Sequence, residues 1–256
     1  MELEGVSVLV TGGASGIGEA SVWKLAELGA RVAIADLNEE RGSEIAEKIG
    51  GVFVKTDVSN EADVEAAVEA ASGLAPLRGL VNAAGVGHAK RTVDREGNPF
   101  PLGDFERVIR INLIGSFNCL RLAAAAMARN EPVDAEGQRG AIVNLSSVAA
   151  CEGQTGQAAY SASKGGVVGM TLPIARDLVA VGVRVNTIAP GLVDTPIYGT
   201  GEGAEKFKAH LGQSVLFPRR LGDPAELASM VVELLTNDYM NAAVVRGDGG
   251  IRMPPK

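Results

Sequence analysis

The stretch that decides the fold opens the chain, where residues 6–18 read VSVLVTGGASGIG. Its apolar first part, residues 6–10, predicts a buried strand, and residues 19–28 continue as a helix. Backbone N–H groups at the start of a helix offer a site for an anion, and glycines let a phosphate approach the backbone. A glycine-rich turn between a first strand and a helix therefore indicates a dinucleotide-binding loop rather than merely a tight turn.

Beyond this loop the chain repeats the alternation of strand and helix. Apolar runs predict further strands at residues 31–35, 52–54, 80–81, 141–145, 183–188 and 243–245. Helical patterns occupy residues 39–49, 61–71, 105–128, 158–179 and 224–235. The alternation predicts an α/β fold, a single-domain doubly wound parallel sheet of about seven strands with helices on both faces, over residues 1–256. Polar stretches at residues 88–104, 130–140 and 195–217 are predicted to be loops.

Composition excludes several classes of function. A net charge of −7, from 24 basic and 31 acidic residues, argues against binding to nucleic acid. No apolar run approaches the ~20 residues of a membrane span, so no membrane association is expected. The only two histidines, His88 and His210, lie in separate polar stretches. A histidine metal site and a Ser-His-Asp triad are therefore disfavoured, and no metal is expected. Cys119 and Cys151 lie in apolar-rich segments and are predicted to be core residues of a protein in a reducing compartment.

Two acidic residues end predicted strands next to the glycine loop. Asp36 has the spacing at which a dinucleotide fold places an acid on the adenosine ribose, where it accepts from the free 2′-hydroxyl and repels a 2′-phosphate. No arginine adjoins it, so NAD is predicted over NADP. Asp57 ends the third predicted strand. It is interpreted either as a partner of the adenine amino group or as a helix N-cap before Ser59.

Acid–base chemistry without histidine is available at Tyr160 and Lys164. Residues four apart share one face of a helix, so the ammonium of Lys164 is expected near the phenol of Tyr160. A cation favours the phenolate and lowers the phenol pKa from its ordinary value of about 10. The fifth predicted strand ends at Ser146 and Ser147, at the sheet edge where ligands bind. Alternation sends these two hydroxyls to opposite sides, so one of them should face the site.

These motifs, in this order, resemble the short-chain dehydrogenase/reductase family over essentially the whole chain: TGGASGIG at residues 11–18, NAAG at residues 82–85, Asn112, Ser147, Tyr160 and Lys164. The resemblance implies a Rossmann fold that binds NAD. The family spacing selects Ser147 over Ser146 as the oxyanion-stabilising serine. Tyr160 would take the alcohol proton, and Lys164 would lower its pKa and hold the nicotinamide ribose. Asn112 would sit at a helix irregularity and support a water-mediated proton relay.

Cofactor and substrate contacts follow from the same resemblance. Together with the glycine loop and Asp36, it implies cofactor contacts by Gly12, Ser15, Gly16, Ile17, Gly18, Asp36, Leu37, Asp57, Val58, Asn82, Ala83, Ala84, Gly85, Tyr160, Lys164, Pro190, Gly191, Val193 and Thr195. Thr195 would bind the carboxamide or the pyrophosphate. Substrate contacts are expected from Ser147, Gln154 and Tyr160, beneath a mobile loop at about residues 192–217.

Longer stretches resemble the branch of the family that contains the type-2 3-hydroxyacyl-CoA dehydrogenases: residues 147–150, 152–154, 156–160, 171–178, 220–226 and 250–253. This branch implies interconversion of 3-hydroxyacyl-CoA and 3-oxoacyl-CoA with NAD. The alternatives are a hydroxysteroid or other alcohol dehydrogenase, a 3-oxoacyl reductase, and a non-enzymatic NAD-binding scaffold.

Three further expectations concern the binding of coenzyme A phosphates, the oligomeric state and the cellular compartment. Lys206, Lys208, Arg219 and Arg220 are interpreted either as contacts for the phosphates of coenzyme A or as a solvated helix face. The family implies a homotetramer in which the long helices of subunits pair. The chain begins at its first strand without a visible presequence, so a cytoplasmic enzyme is expected.

Overall fold

The fold is built on one parallel sheet. The structure is a computed structural model that describes residues 1–199 and 201–255. Its strands are β1 Ser7–Thr11, β2 Arg31–Asp36, β3 Val52–Lys55, β4 Leu77–Asn82, β5 Gly140–Leu145, β6 Val183–Pro190 and β7 Val244–Gly247. Every neighbouring pair is parallel, in the order β3-β2-β1-β4-β5-β6-β7. The predicted doubly wound sheet is confirmed. The predicted ranges 1–256 and 192–217 include Lys256 and Thr200, which lie outside the described residues.

Helices cover both faces of the sheet. They are α1 Gly16–Glu27, α2 Glu39–Ile49, α3 Glu61–Leu74, α4 Leu102–Ile109, α5 Ser116–Ala128, α6 Ala158–Leu178, α7 Glu202–Gly212 and α8 Pro224–Thr236. A π-helical turn, Arg110–Gly115, joins α4 to α5, and α6 continues through Pro173. Apolar side chains of α3, α5 and α6 form one core with the sheet, and those of α1, α2 and α8 form a second core on the other face. The two cores hold the carboxyl ends of the strands at one edge, where this topology binds ligands.

One continuous helix, Leu102–Ala128, is apolar enough to cross a membrane by length and composition alone. Within the described ranges it is the one such helix, and just over half of its most apolar stretch is buried. Leu120 and Met127 pack into the core on one face of the sheet. The apolar residues of this helix are therefore those of a core helix. They are interrupted by polar residues, so they do not form one unbroken apolar run in the sequence.

Strand β4 is longer than predicted, because a charged residue in it is buried. The guanidinium of Arg78 donates to the backbone oxygens of Glu131 and Arg139, at 2.8 and 3.1 Å. These bonds satisfy the charged group inside the sheet. The strand therefore spans Leu77–Asn82, although its apolar pattern covers only residues 80–81.

Two further expectations were wrong. Helix α7 lies inside the predicted loop of residues 195–217, where Lys206 pairs with Glu202 one helical turn away at 2.7 Å. The charges of this helix resemble those of a loop because most of its surface faces solvent. Cys119 is buried as predicted, and burial raises the pKa of its thiol to about 12. Cys151, by contrast, is exposed rather than a core residue.

Candidate active site

The glycine loop between β1 and α1 is a backbone cradle with no room for side chains. Gly12 has a φ of +66°, and a Cβ there would lie 2.7 Å from the backbone nitrogen of Ala84. A Cβ on Gly18 would overlap the carbonyl oxygen of Gly12. Ser15 is the N-cap of α1, yet its side chain makes no capping bond within the described structure. The first N–H groups of α1 are therefore available to an anionic ligand.

Asp36 and Asp57 flank this cradle. The carboxylate of Asp36 accepts from the backbone N–H of Ala14 and of Asn38, both at 3.0 Å. It thus ties the glycine loop to the end of β2. Asp57 accepts from the backbone N–H of Ser59 at 2.9 Å, but the N-cap of α3 is a different residue, Asn60. The interpretation of Asp57 as a helix cap was therefore wrong, and its side chain shapes the turn beside the cleft.

A cleft of about 920 Å³ runs along the carboxyl edge of the sheet. It brings together nineteen of the twenty-two predicted site residues. The residues that line it are Gly12, Ser15, Gly16, Ile17, Gly18, Asp36, Leu37, Asp57, Val58, Ala83, Ala84, Gly85, Ser147, Tyr160, Lys164, Pro190, Gly191, Val193 and Thr195. Within the described ranges the other three, Asn82, Asn112 and Gln154, do not line it.

Lys164 lies at the base of this cleft and is buried. Its ammonium donates to the backbone oxygen of Leu145 at 2.8 Å and lies 5.9 Å from the ring centroid of Tyr160. Burial lowers the pKa of Lys164 to about 8. A Cβ on Gly85 would come within 3.4 Å of the same ammonium, so glycine leaves space beside it. The helix geometry thus brings Lys164 and Tyr160 together, as the four-residue spacing predicts.

The pKa of Tyr160 differs from the sequence expectation. Burial raises it, and a hydrogen bond with Ser147 acts in the opposite direction. In the free protein the pKa of Tyr160 is therefore raised rather than lowered, because burial removes solvation from the phenolate. The backbone N–H of Ala149 donates to the Ser147 hydroxyl oxygen at 3.1 Å, which leaves the hydroxyl hydrogen free to donate.

The two serines at the end of β5 have separate roles, as alternation predicts. The hydroxyl of Ser146 donates to the backbone oxygen of Lys164 at 2.8 Å and is buried against α6. The hydroxyl of Ser147 acts on the phenol of Tyr160, whose pKa it lowers. Ser146 therefore anchors the helix that carries Tyr160, and Ser147 faces the phenol.

Asn82 and Asn112 form a buried layer behind the cleft. The side-chain amide of Asn82 donates to Asn144 at 2.9 Å and to the backbone oxygen of Ser116 at 3.0 Å. Asn112 lies in the π-helical turn, at the predicted irregularity, and bonds to both backbone groups of Val86 at 2.8 and 3.0 Å. These contacts support the strand end and the segment after it.

The segment of residues 190–195 crosses the glycine cradle. A Cβ on Gly16 would lie 3.1 Å from the methyl group of Thr195. The backbone N–H of Gly191 donates to Gly247 at 3.0 Å, and that of Asp194 donates to Gly222 at 2.9 Å. These bonds hold Thr195 over the N-terminus of α1, where a pyrophosphate group would lie.

Several cleft residues were missed by sequence reasoning: His88, Arg107, Gln157 and Met253. Tyr198, in the predicted loop over the site, also lines the cleft. Burial first, and then the nearby Tyr160 and Asp194, raise the pKa of Tyr198 to about 12, so its phenol stays protonated. Gln154 instead donates to the backbone oxygen of Pro254 at 3.1 Å, in the C-terminal tail. A long-range contact of this kind leaves no local signal in the sequence.

Three of the four cations near α7 are already paired with carboxylates. Lys206 pairs with Glu202, and Lys208 lies 2.8 Å from Asp194. Arg220 makes two bonds to Glu226, at 2.9 and 2.7 Å. These pairs argue against the interpretation of Lys206, Lys208 and Arg220 as contacts for the phosphates of coenzyme A. Across residues 1–199 and 201–255, no group of three or more His, Cys, Asp or Glu side chains could hold a metal ion.

A glycine cradle at a helix N-terminus, an acid at the end of β2 and a Tyr/Lys/Ser group in one cleft are typical of a nicotinamide-dinucleotide oxidoreductase of Rossmann type. The chain belongs to the short chain dehydrogenase family, whose profile matches residues 7–205.

Individual members of the family show which enzymes this chain is most similar to among those compared. The 3-hydroxyacyl-CoA dehydrogenase type-2 of Homo sapiens is 48% identical over 99% of this chain and 97% of its own length. The enzyme of that name from Drosophila melanogaster is 50% identical over 96% of this chain and 97% of its own. A crystal structure of 3-hydroxyacyl-CoA dehydrogenase type-2 from Mycobacterium avium superposes with a TM-score of 0.94 at 46% identity, covering 100% of this chain and 99% of that one.

Proposed function

We propose that this protein interconverts 3-hydroxyacyl-CoA and 3-oxoacyl-CoA with NAD as the hydride acceptor or NADH as the donor. The observation that carries the proposal is the position of Ser147, Tyr160 and Lys164 in the same cleft as the glycine cradle. The substrate class rests on the full-length likeness to enzymes named for that activity.

The roles of the three side chains follow from their contacts. NAD, when bound, supplies the acceptor for the hydride of the alcohol carbon. Tyr160 takes the hydroxyl proton on its phenol oxygen, as a general base in oxidation and a general acid in reduction. Ser147, whose oxygen is held by Ala149, donates to the substrate oxygen. The charge of Lys164 stabilises the phenolate that this step requires.

Asp36 supports NAD rather than NADP as the cofactor. Its carboxylate is fixed at the end of β2 by the N–H groups of Ala14 and Asn38. A fixed negative charge at this position accepts from a ribose 2′-hydroxyl and repels a 2′-phosphate. Leu37, which is exposed and also lines the cleft, offers no positive charge to offset that repulsion.

The test is oxidation of NADH, and separately of NADPH, with acetoacetyl-CoA, free acetoacetate and a ketosteroid. Acetoacetyl-CoA should be reduced with the highest kcat/KM, and NADH should be preferred. Equal kcat/KM for acetoacetyl-CoA and free acetoacetate would overturn the thioester assignment. A higher kcat/KM with NADPH would overturn the cofactor assignment.

A second candidate is a dehydrogenase of a bulky alcohol without a coenzyme A handle, such as a hydroxysteroid. The pairing of Lys206, Lys208 and Arg220 with carboxylates favours it, because these cations would have to break ion pairs to meet the phosphates of coenzyme A. Reduction of the ketosteroid in the same assay, with little turnover of acetoacetyl-CoA, would support this candidate.

We also infer a homotetramer that works in the cytoplasm. Apolar side chains on the long helices support the assembly, since Ile114, Phe117 and Leu172 are 48%, 47% and 44% exposed. An exposed free thiol at Cys151 fits a reducing compartment. Sedimentation of the purified protein at micromolar concentration tests the assembly, and a monomer there would overturn it.

A further inference from the structure

The C-terminal tail, residues 251–255, lies along the segment that follows Ser147. The backbone N–H of Met253 donates to a carboxylate oxygen of Glu152 at 3.1 Å. Further along, the backbone N–H of Thr155 donates to the carbonyl oxygen of Pro255 at 2.9 Å. The Gln154 amide donates to Pro254, as described above. The tail is therefore bonded at three successive residues to the chain just after the active-site serine.

An ionic cluster fixes the start of this contact. Arg246 donates to Glu152 at 2.7 Å, to Asp248 at 2.6 Å and to the backbone oxygen of Ile251 at 3.1 Å. Only 21% of the Glu152 side chain and 9% of the Asp248 side chain are exposed, which shields these ion pairs from solvent screening. Glu152 thus holds the end of β7 with one oxygen and the tail with the other.

The side of the tail that faces the cleft is apolar. Met253 lines the cleft and packs onto a small cluster formed by the buried side chains of Leu192, Val215 and Ile251. Tyr198, just before α7, and Leu211, on α7, pack onto the same cluster. The cluster therefore joins the tail to Tyr198 and α7, and it is separate from the two main cores.

An apolar surface of this kind favours contact with a hydrocarbon chain over contact with a phosphate group. A thioether is flexible and adapts to chains of different shape, and one methylene more or less in an apolar pocket changes kcat/KM by about tenfold or more. From this placement we infer that Met253 is a specificity-determining residue that closes the acyl end of the substrate pocket, and that Glu152 is the positioning residue that holds it there. The inference rests on the proposed function for the nature of the chain it meets.

The experiment compares the wild type with Met253→Trp, Met253→Ala, Glu152→Ala and Glu152→Gln. Met240→Ala is the matched control, because Met240 packs on the core at the far end of β7. For each protein, kcat and KM are measured with NADH and 3-oxoacyl-CoA substrates of short, medium and long acyl chain. Ketones without coenzyme A complete the panel, and NADH affinity is measured separately by fluorescence.

Met253→Trp should raise KM for the long chain by about tenfold while leaving kcat for the shortest chain and NADH affinity nearly unchanged. Met253→Ala should shift the preference toward longer chains. Glu152→Ala should follow Met253→Ala. Glu152→Gln should lie closer to the wild-type profile, because its amide oxygen still accepts from Met253 although its amino group cannot accept from Arg246. Met240→Ala should keep the wild-type preference.

Two results for the Met253 variants would overturn the inference: a uniform loss of kcat/KM across all chain lengths, or no change at any chain length. The Met253 variants decide the question even if Glu152→Ala fails to fold. Failure of the proposed function gives a different result. The wild type would then reduce ketones without coenzyme A and no thioester. The inference would still be decided on those ketones, by whether Met253→Trp discriminates against the bulkier ones.

Discussion

The ammonium of Lys164, on α6, donates to the backbone oxygen of Leu145, the last residue of β5, at 2.8 Å. This bond fixes the position of the positive charge. The bond holds the ammonium near the ring of Tyr160 and explains why the charge stays in place although no carboxylate among the described residues pairs with it. It does not remove the cost of burial, since the pKa of Lys164 falls to about 8 from its ordinary value of 10.5.

Lys164→Met should therefore abolish turnover and stabilise the protein at neutral pH. Below pH 8 both the folded and the unfolded chain carry the charge, so the full cost of burying it is present. Between pH 8 and 10.5 the unfolded chain binds more protons, so the wild type gains stability as pH rises and the advantage of the variant shrinks. After the lost hydrogen bond is subtracted, the gain at pH 7 should be about 2 kcal/mol.

Thermal unfolding of both proteins at pH 7 and pH 10 measures this gain. Lys24→Met, at an exposed lysine of α1, is the control and should change Tm little at either pH. A variant with Lys164→Met that is less stable than the wild type at pH 7 would contradict the cost of burial.

Tyr160→Phe should lower kcat by about 10²- to 10⁴-fold, because it removes the group that exchanges the proton and little else. NADH should still bind, as fluorescence titration would report. Tyr239→Phe is the matched control, since Tyr239 is fully exposed and should leave kcat unchanged. Retention of most turnover in Tyr160→Phe would mean that another group carries the proton.

The pH dependence of oxidation should reflect the phenol. Burial raises the pKa of Tyr160 above its ordinary value of 10 and the bond to Ser147 lowers it. Oxidation needs the phenolate, so kcat/KM for the alcohol should rise with pH through the neutral range, where Lys164 keeps the charge that stabilises the phenolate. Ser147→Ala removes the opposing bond, so the rise in its residual activity should move to higher pH. A rise that stays in place or moves to lower pH would show that Ser147 does not stabilise the phenolate.

Local features of the sequence predicted most of this site. The glycine loop, Asp36 and the Tyr160/Lys164 pair each lie within one strand, turn or helix, so spacing alone brings their atoms together. Strand β4 was underestimated because Arg78 reads as polar although its guanidinium is satisfied by backbone oxygens. Helix α7 was missed because its surface is charged. Met253 could not be predicted, because only a tertiary contact to Glu152, far away in the chain, brings it to the cleft.

The effect of the Asp36 charge on the choice between NAD and NADP can be tested without disturbing the glycine loop. Asp36→Asn removes the negative charge but keeps an oxygen that accepts from Ala14, so the glycine loop should stay in place. The kcat/KM with NADP should rise, and that with NAD should fall by about tenfold, since a hydrogen bond to a charged acceptor is lost. Glu39→Gln, at an exposed acid in the first turn of α2, is the control and should leave both values unchanged.

Two helical glycines form a matched pair that tests the cradle. A Cβ on Gly18 would overlap the carbonyl oxygen of Gly12, whereas a Cβ on Gly73, in the last turn of α3, meets no atom within 4 Å. Gly73→Ala should stabilise the protein by about 0.5–1 kcal/mol, because alanine loses less backbone entropy on folding. Gly18→Ala must move backbone, so it should lower both Tm and the affinity for NADH. If Gly18→Ala bound NADH as tightly as the wild type, close contact between α1 and Gly12 would not be what shapes the cradle.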